Sequence, residues 1–240
     1  MTQHSLDGRT EKEVTWFERR EVMKAGTAWL VMGGVSAAIA QQRSNVVQLT
    51  GDALLNGKRL MPNQTIQTGD QVQTGPGSNL IFVMGNASFL VRQNSLITVE
   101  RGATLNTASL LRIATGAVAS VWSKGSSKSI ITPTLTVGIR GTGVYAEVMP
   151  NQGNRTYFCN CYGTVELDAG GSQKLSEAKY HQAFWADKEP NQNNTRLSPA
   201  GLFNHTDAEQ EFLARLINQR TYWQIAGRKG NTDGSGTMGL

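Results

Sequence analysis

Ala53-Leu54-Leu55-Asn56-Gly57-Lys58-Arg59-Leu60 is the stretch that decides the fold class. An Asn-Gly pair set between apolar residues is the strongest short-range signature of a two-residue β-hairpin. Both central positions of such a turn need positive φ, which Asn and Gly adopt at least cost. The same texture continues on the C-terminal side. Residues 79–83 and 88–91 flank Met84-Gly85-Asn86-Ala87, a second predicted hairpin. Strand-like runs at 95–100, 109–114, 117–122, 135–139 and 144–148 follow at close spacing, broken by Gly, Asn and Pro. No 10–15-residue helical pattern separates them, which argues against parallel β/α units. The expectation is an all-β fold, a roll, short solenoid or sandwich.

The C-terminal third reads differently. Residues 172–192 are mixed and polar, with no apolar period. Asn204-His205-Thr206-Asp207-Ala208-Glu209 resembles a helix start, with Thr206 as cap and Glu209 completing a capping box. Phe212, Leu213, Leu216 and Ile217 follow at helical spacing. The boundaries read from this pattern are a β domain over 41–168, a mixed extension over 169–226 with one helix near 207–219, and a Gly-rich disordered tail over 227–240.

Upstream, residues 1–40 have the layout of a cleaved export signal. Arg19-Arg20-Glu21-Val22-Met23-Lys24 precedes a mainly apolar stretch that closes on Ala38-Ile39-Ala40. The segment resembles the twin-arginine consensus R-R-x-Φ-Φ-K, with Arg19, Arg20 and Lys24 as its basic positions and Ala38 and Ala40 as the cleavage pair. The competing reading is an inner-membrane anchor. A spanning helix needs about 20 apolar residues, and the 16 positions from Ala25 to Ala40 include Gly26, Gly33 and Gly34. The expected location is therefore the periplasm or beyond, with membrane contact only through an uncleaved N-terminus.

Charge adds little. The net charge of +5 is unchanged by removing residues 1–40, and no basic run is interleaved with aromatics, which argues against nucleic-acid binding.

The order of motifs between residues 46 and 167 resembles the FecR domain, the periplasmic domain of iron-dicitrate signalling regulators. The resemblance is carried by Gly69-Asp70-Gln71-Val72-Gln73-Thr74-Gly75 (G-D-x-[VI]-x-T-G) and by Thr132-Pro133 through Arg140-Gly141-Thr142 (T-P-x-x-x-x-x-x-R-G-T), with a closing Tyr162-Gly163-Thr164-Val165-Glu166-Leu167. Read physically, Gly69-Asp70 and Thr74-Gly75 are turn pairs around a short strand. Gly138, Gly141 and Gly143 mark bulges or close backbone approach, and Arg140 is a candidate to bond carbonyls at the bend. Regulators of this family carry a sigma-binding region and a membrane span ahead of the domain. Only 18 residues precede Arg19 here, so the signalling role is not expected to follow from the fold.

One constellation could carry chemistry. Cys159-Asn160-Cys161 on a strand places both thiols on one face with Tyr157, and Phe158, Asn160 and Tyr162 on the other. Their Cα atoms would lie roughly 6.6 Å apart, close to the upper limit for a disulfide. His181 and His205 are the remaining histidines beyond His4. A Cys2His2 set of Cys159, Cys161, His181 and His205 would suit zinc or another soft transition metal. A strained disulfide and buried free thiols are the alternatives. Either histidine has a structural reading of its own, His205 in helix capping and His181 in packing beside Tyr180 and Phe184-Trp185. No G-x-S-x-G elbow or paired carboxylates argue for hydrolysis. The sequence thus points to an exported, non-enzymatic binding or scaffold protein with a protein or envelope partner. The alternatives are a membrane-anchored regulator and a periplasmic redox or metal-handling protein using the C-x-C pair.

Overall fold

The computed structural model describes residues 44–61, 63–101, 108–125, 127–228 and 230. The expected export signal, including Arg19, Arg20, Lys24, Ala38 and Ala40, and residues 231–240 of the expected tail lie outside the described residues. The fold is all-β, as expected: among the described residues, fifteen strands form one hydrogen-bonded network.

Numbered in chain order, the strands divide into two layers. The first runs β1 (Val46–Thr50), β5 (Asn79–Met84), β6 (Ala87–Val91), β8 (Ala108–Trp122), β11 (Gly143–Met149), β12 (Arg155–Ala169), β14 (Gln182–Ala186) and β15 (Leu197–Ala200), all antiparallel. The second runs β3 (Lys58–Arg59), β2 (Ala53–Leu55), β4 (Gln71–Thr74), β7 (Leu96–Arg101), β8, β9 (Lys128–Ile131), β10 (Thr136–Ile139), β12 and β13 (Ser172–Ala178), with β8 and β9 parallel. Strands β8 and β12 belong to both layers, and each crosses at a glycine. Gly116 has φ 78° and Gly163 φ 96°. A Cβ on Gly116 would lie 2.5 Å from the Ser95 Cα, and one on Gly163 2.8 Å from the Gly141 carbonyl oxygen. Only glycine fits either corner.

The main core fills the space between the layers. Phe82, Phe89, Val118, Trp122, Val144 and Phe158 from the first meet Val72, Ile97, Leu111, Ile130, Val137 and Val165 from the second. Phe89 stacks on Phe82 at 4.8 Å and meets the edge of Trp122 at 5.0 Å. The opposite face of the first layer is apolar too, with Ile81, Leu90, Ala119, Val121, Tyr145 and Tyr157. It is covered by residues 202–228, which include helix α1 (Asp207–Leu216) and the single turn α2 (Tyr222–Ile225). Leu213, Ala214 and Trp223 are fully buried there. Burying one leucine of this kind contributes about 1.5–3 kcal/mol.

Both predicted hairpins form, with Asn56 and Gly57 at φ 52° and 77°. The capping box also forms: Glu209 N–H donates to Thr206 Oγ1 at 3.3 Å, and Thr206 N–H donates to Glu209 Oε2 at 3.0 Å. Asp70 closes its turn by accepting from Gln67 N–H at 2.7 Å, beside Gly69 at φ 97°. Thr74 Oγ1 bonds the Arg92 carbonyl, and Gly75 N–H the Asp52 carbonyl. Thr132 Oγ1 accepts from Leu135 N–H and meets Thr156 Oγ1 at 2.8 Å, holding the turn that contains Pro133.

Several expectations are corrected. Residues 109–114 and 117–122 are one strand, β8, because Gly116 bends the chain without ending it. The β domain does not stop at 168: β13 joins the second layer and β14 and β15 the first, so most of the supposed extension is sheet. The polar pattern of 172–192 hid β13, which pairs with β12 alone and exposes Gln173, Lys174, Leu175 and Glu177. Helix α1 ends at Leu216 instead of 219, and α2 is a second, unexpected helix with its own Thr221–Gln224 capping box. Gly230, within the expected tail, packs against Asp207 and Trp223. Arg140 does not bond carbonyls through its side chain; its exposed guanidinium pairs with Glu166. Gly141 takes φ 79°, and Thr142 beside it is fully buried. No helix among the described residues is long and apolar enough to cross a membrane.

Candidate metal centre

The covered face of the first layer holds the cysteines. Both side chains project from β12 toward residues 202–228, and both thiols are free and buried. The register against β11 shifts between Gly143 and Val144, which face Tyr162 and Asn160 respectively, so Cys161 is the extra residue of a β-bulge. Bulges re-aim side chains beside functional sites. This one also breaks the strict alternation, and Tyr162 packs edge-on against Trp223 at 5.5 Å on the cysteine side instead of facing the main core.

His181 stands just before β14, its N–H bonded to the Cys161 carbonyl at 3.0 Å. His205 lies between β15 and α1, after Asn204 at φ 56°. It stacks on Tyr145 with ring centroids 4.6 Å apart. Cys159 Sγ, Cys161 Sγ and one nitrogen of each histidine all lie within 4.8 Å of one another. Cys159 Sγ is 3.3 Å from His181 Nδ1, which is 3.2 Å from His205 Nε2. Atoms about 2.0–2.3 Å from a tetrahedral ion are about 3.3–3.8 Å from each other, so these spacings suit one small cation.

The outer nitrogens are both engaged. His181 Nε2 is 2.6 Å from Asp207 Oδ1, and His205 Nδ1 is 2.6 Å from the Phe203 carbonyl oxygen. An N–H on each of those nitrogens satisfies its acceptor. That leaves two lone pairs facing each other at 3.2 Å, an arrangement that needs a proton or a metal between them. An outer N–H bonded to a carboxylate or carbonyl is the usual second shell of a ligating histidine. Tyr180 Oη donates to the other Asp207 oxygen at 2.8 Å, and Trp223 stacks on His181 at 5.6 Å.

In the metal-free protein the charges follow from this packing. Burial alone pushes the Cys159 thiol up, but a hydrogen bond from Cys161 and the neighbouring His205 and His181 outweigh it and hold the group well below the ordinary thiol range. Burial, followed by the bond to and charge of Cys159, pushes Cys161 well above that range. Burial works to lower His181, yet the Cys159 charge and the Asp207 bond carry it up to about 9. Cys159, His181 and Asp207 thus line up as thiolate, imidazolium and carboxylate, the order of a cysteine nucleophile with its base and orienting acid. Cys159 and Cys161 are wholly inaccessible, so no substrate carbonyl could approach. Clefts of 470 and 480 Å³ open elsewhere, one beside Gln93, Gly116 and Met149 and the other beside Thr136, Asp168 and Arg196.

Asp207, Tyr180 and the Phe203 carbonyl complete a site that the sequence reading built from four side chains. Asp207 stands two residues after His205 in the sequence, which placed it near the ligand set without showing its bond to His181. A main-chain acceptor leaves no sequence signal.

No family model and no curated protein matches the chain. Two crystal structures of a "putative anti-sigma factor" from Parabacteroides distasonis are similar in backbone, each at 14% identity. Their TM-scores are 0.44 and 0.45, over 62% and 64% of this chain. The matched regions span 65% and 66% of those chains' own length, just under two thirds.

Proposed function

We propose that this chain is an exported, non-catalytic scaffold or regulatory protein whose Cys159, Cys161, His181 and His205 hold one structural transition-metal ion, zinc by the chemistry of the donors. Two thiolates and two imidazoles in a closed tetrahedral site are a zinc donor set. The ion ties residues 202–228 onto the β layers, since three donors lie on or beside the sheet and His205 belongs to the covering segment. What carries the reading is the paired lone pairs of His181 Nδ1 and His205 Nε2, 3.2 Å apart beside a thiol sulfur. Complete burial of the thiols supports a structural ion over an open catalytic one, which would keep a position for water. It also tells against direct redox exchange through the pair, which needs access to sulfur.

Export rests on the twin-arginine-like segment, and the partner class, a protein or envelope component, on the resemblance to FecR domains. Twin-arginine export would fit a protein folded around its ion before it crosses the membrane. Metal analysis of protein purified under reducing conditions tests the central claim. The expected content is roughly one zinc per chain, lost in Cys159→Ser and His205→Ala. Metal-free protein with both thiols titrating freely overturns it. N-terminal sequencing of exported protein should give a start at Gln41; an intact N-terminus would favour the anchored alternative.

A further inference from the structure

The proposed ion leaves one residue unexplained. Asp207 opens helix α1, where a carboxylate already favours the helix dipole. Its side chain also reaches the two residues that precede β14. One oxygen accepts a hydrogen bond from His181 Nε2 at 2.6 Å and the other accepts from the Tyr180 hydroxyl at 2.8 Å. The His181 and Asp207 side chains are each 3% exposed. Tyr180 and His181 precede β14, whereas Asp207 comes with the covering segment. Two linkages therefore join the site to that segment: His205 directly, and Asp207 through the ring of His181.

The segment has other attachments to the same face. Glu209 pairs with the buried Arg92, Ser88 Oγ donates to the Leu213 carbonyl at 2.7 Å, and Gln210 Nε2 donates to the Val144 carbonyl at 3.2 Å. Their apolar neighbours form a cluster distinct from the main core, on the far side of the first layer. The segment can therefore lift while the two layers stay closed, a local opening in which one cooperative unit leaves the rest.

Resting on the metal reading above, we infer that Asp207 is a positioning residue that makes metal binding and seating of α1 one event. Held by Asp207, His181 presents Nδ1 to the ion. When α1 lifts, His181 loses its orienting acceptor and the ion loses His205 together. When the ion leaves, α1 loses the tie through His205 and keeps only the Asp207–His181 bond, so its residues open more often. Metal occupancy thus controls how often the apolar face carrying Leu90, Ala119, Val121 and Tyr145 is uncovered.

The test uses the full-length protein with Zn(II) and Co(II) as probes, in wild type, Asp207→Asn, Asp207→Ala and Tyr180→Phe. Loss of an outer-sphere partner of a ligating histidine weakens metal binding by about 10–100-fold. Asp207→Ala should show that loss. Asp207→Asn keeps an oxygen acceptor for His181 and should recover part of it, and Tyr180→Phe should cost least. Nitrogen NMR of the zinc form should show His181 protonated at Nε2 in wild type, with that signature weakened in Asp207→Ala. Hydrogen exchange should be faster over 207–217 after chelation while the strands of the main core keep their protection. If Asp207→Ala does not fold, Asp207→Asn and Tyr180→Phe still order the affinities. Zinc affinity unchanged in all folded variants, or equal protection of 207–217 with and without zinc, overturns the inference while leaving the metal site standing. Absence of zinc binding by wild type removes the metal reading itself.

Discussion

Zinc uptake should release protons in a number set by the geometry of the cysteine pair. Near neutral pH the packing of the metal-free protein favours Cys159 as thiolate, Cys161 as thiol and His181 as imidazolium, because Cys159 is held well below the ordinary thiol range, Cys161 is pushed well above it and His181 is carried up to about 9. Coordination demands deprotonated donors. Zinc must therefore displace one proton from Cys161 and one from His181. Two protons lost per ion means that apparent affinity rises about 100-fold per pH unit. That slope should hold from about pH 7 to 8.5, then fall toward tenfold above 9, where His181 is already neutral. Competition against a chromophoric chelator across pH 6.5–9.5 measures it. Calorimetry in buffers of different ionisation enthalpy counts the protons independently. A slope of half a proton or less would refute the assigned protonation states. Without metal the sign reverses for His181. Its folded pKa is raised, so its contribution to stability is full below its ordinary value of 6.5 and is lost as pH rises through about 9. Cys159, whose folded pKa is lowered, gains stability over the same range up to its ordinary value of 9 and offsets that loss, so the chelated protein should weaken only above about pH 9, where Cys161 still holds its proton, while zinc binding strengthens.

Other outcomes follow from the packing. Glu209→Ala removes a carboxylate that both caps α1 and neutralises buried Arg92; the stranded guanidinium costs about 3–5 kcal/mol and the cap about 1 kcal/mol, up to the free energy of lifting residues 202–228. Hydrogen exchange of α1 measures this, and the double change Arg92→Met with Glu209→Leu should restore most of it, since an apolar pair replaces a buried ion pair at little cost. Gly116→Ala and Gly163→Ala should each lose at least about 2 kcal/mol in urea denaturation, combining positive φ with backbone collisions. Gly57→Ala, also at positive φ but with open space around it, should lose only about 1 kcal/mol. Equal losses at all three would show that the close contacts at the two corners carry no cost.

The hairpins at Asn56-Gly57 and Gly85-Asn86 were legible because turn chemistry is local. So was the start of α1, since Thr206 and Glu209 are three residues apart on any chain. The long strands β8 and β12 were harder. A glycine within a strand marks a break or a corner equally well, and only the second layer tells them apart. β13 was hidden because an edge strand facing solvent need not alternate in hydrophobicity. In the candidate site, Cys159 and Cys161 announced themselves by spacing, and the two histidines by their scarcity. The bulge at Cys161 was not readable, because it depends on register with β11. Nor were the roles of Asp207 and Tyr180, whose pairing joins the turn before β14 to the start of α1, which sequence distance gives no reason to connect.

The apolar face on the outside of the first layer has a consequence for synthesis. Every strand of both layers precedes residue 201 in the chain, and the segment that covers this face is made afterwards. A ribosome therefore delivers the two layers first, with one hydrophobic surface still bare. Such surfaces invite association with other chains during the interval. His205 lies in that late segment, so the fourth donor arrives only when the cover does. A chain cut short near Ala200 would keep three donors and the main core, yet display a sticky wall in place of a closed one. Quality-control proteases and holdase chaperones recognise such a wall, giving a direct check on whether the last part of the protein was completed.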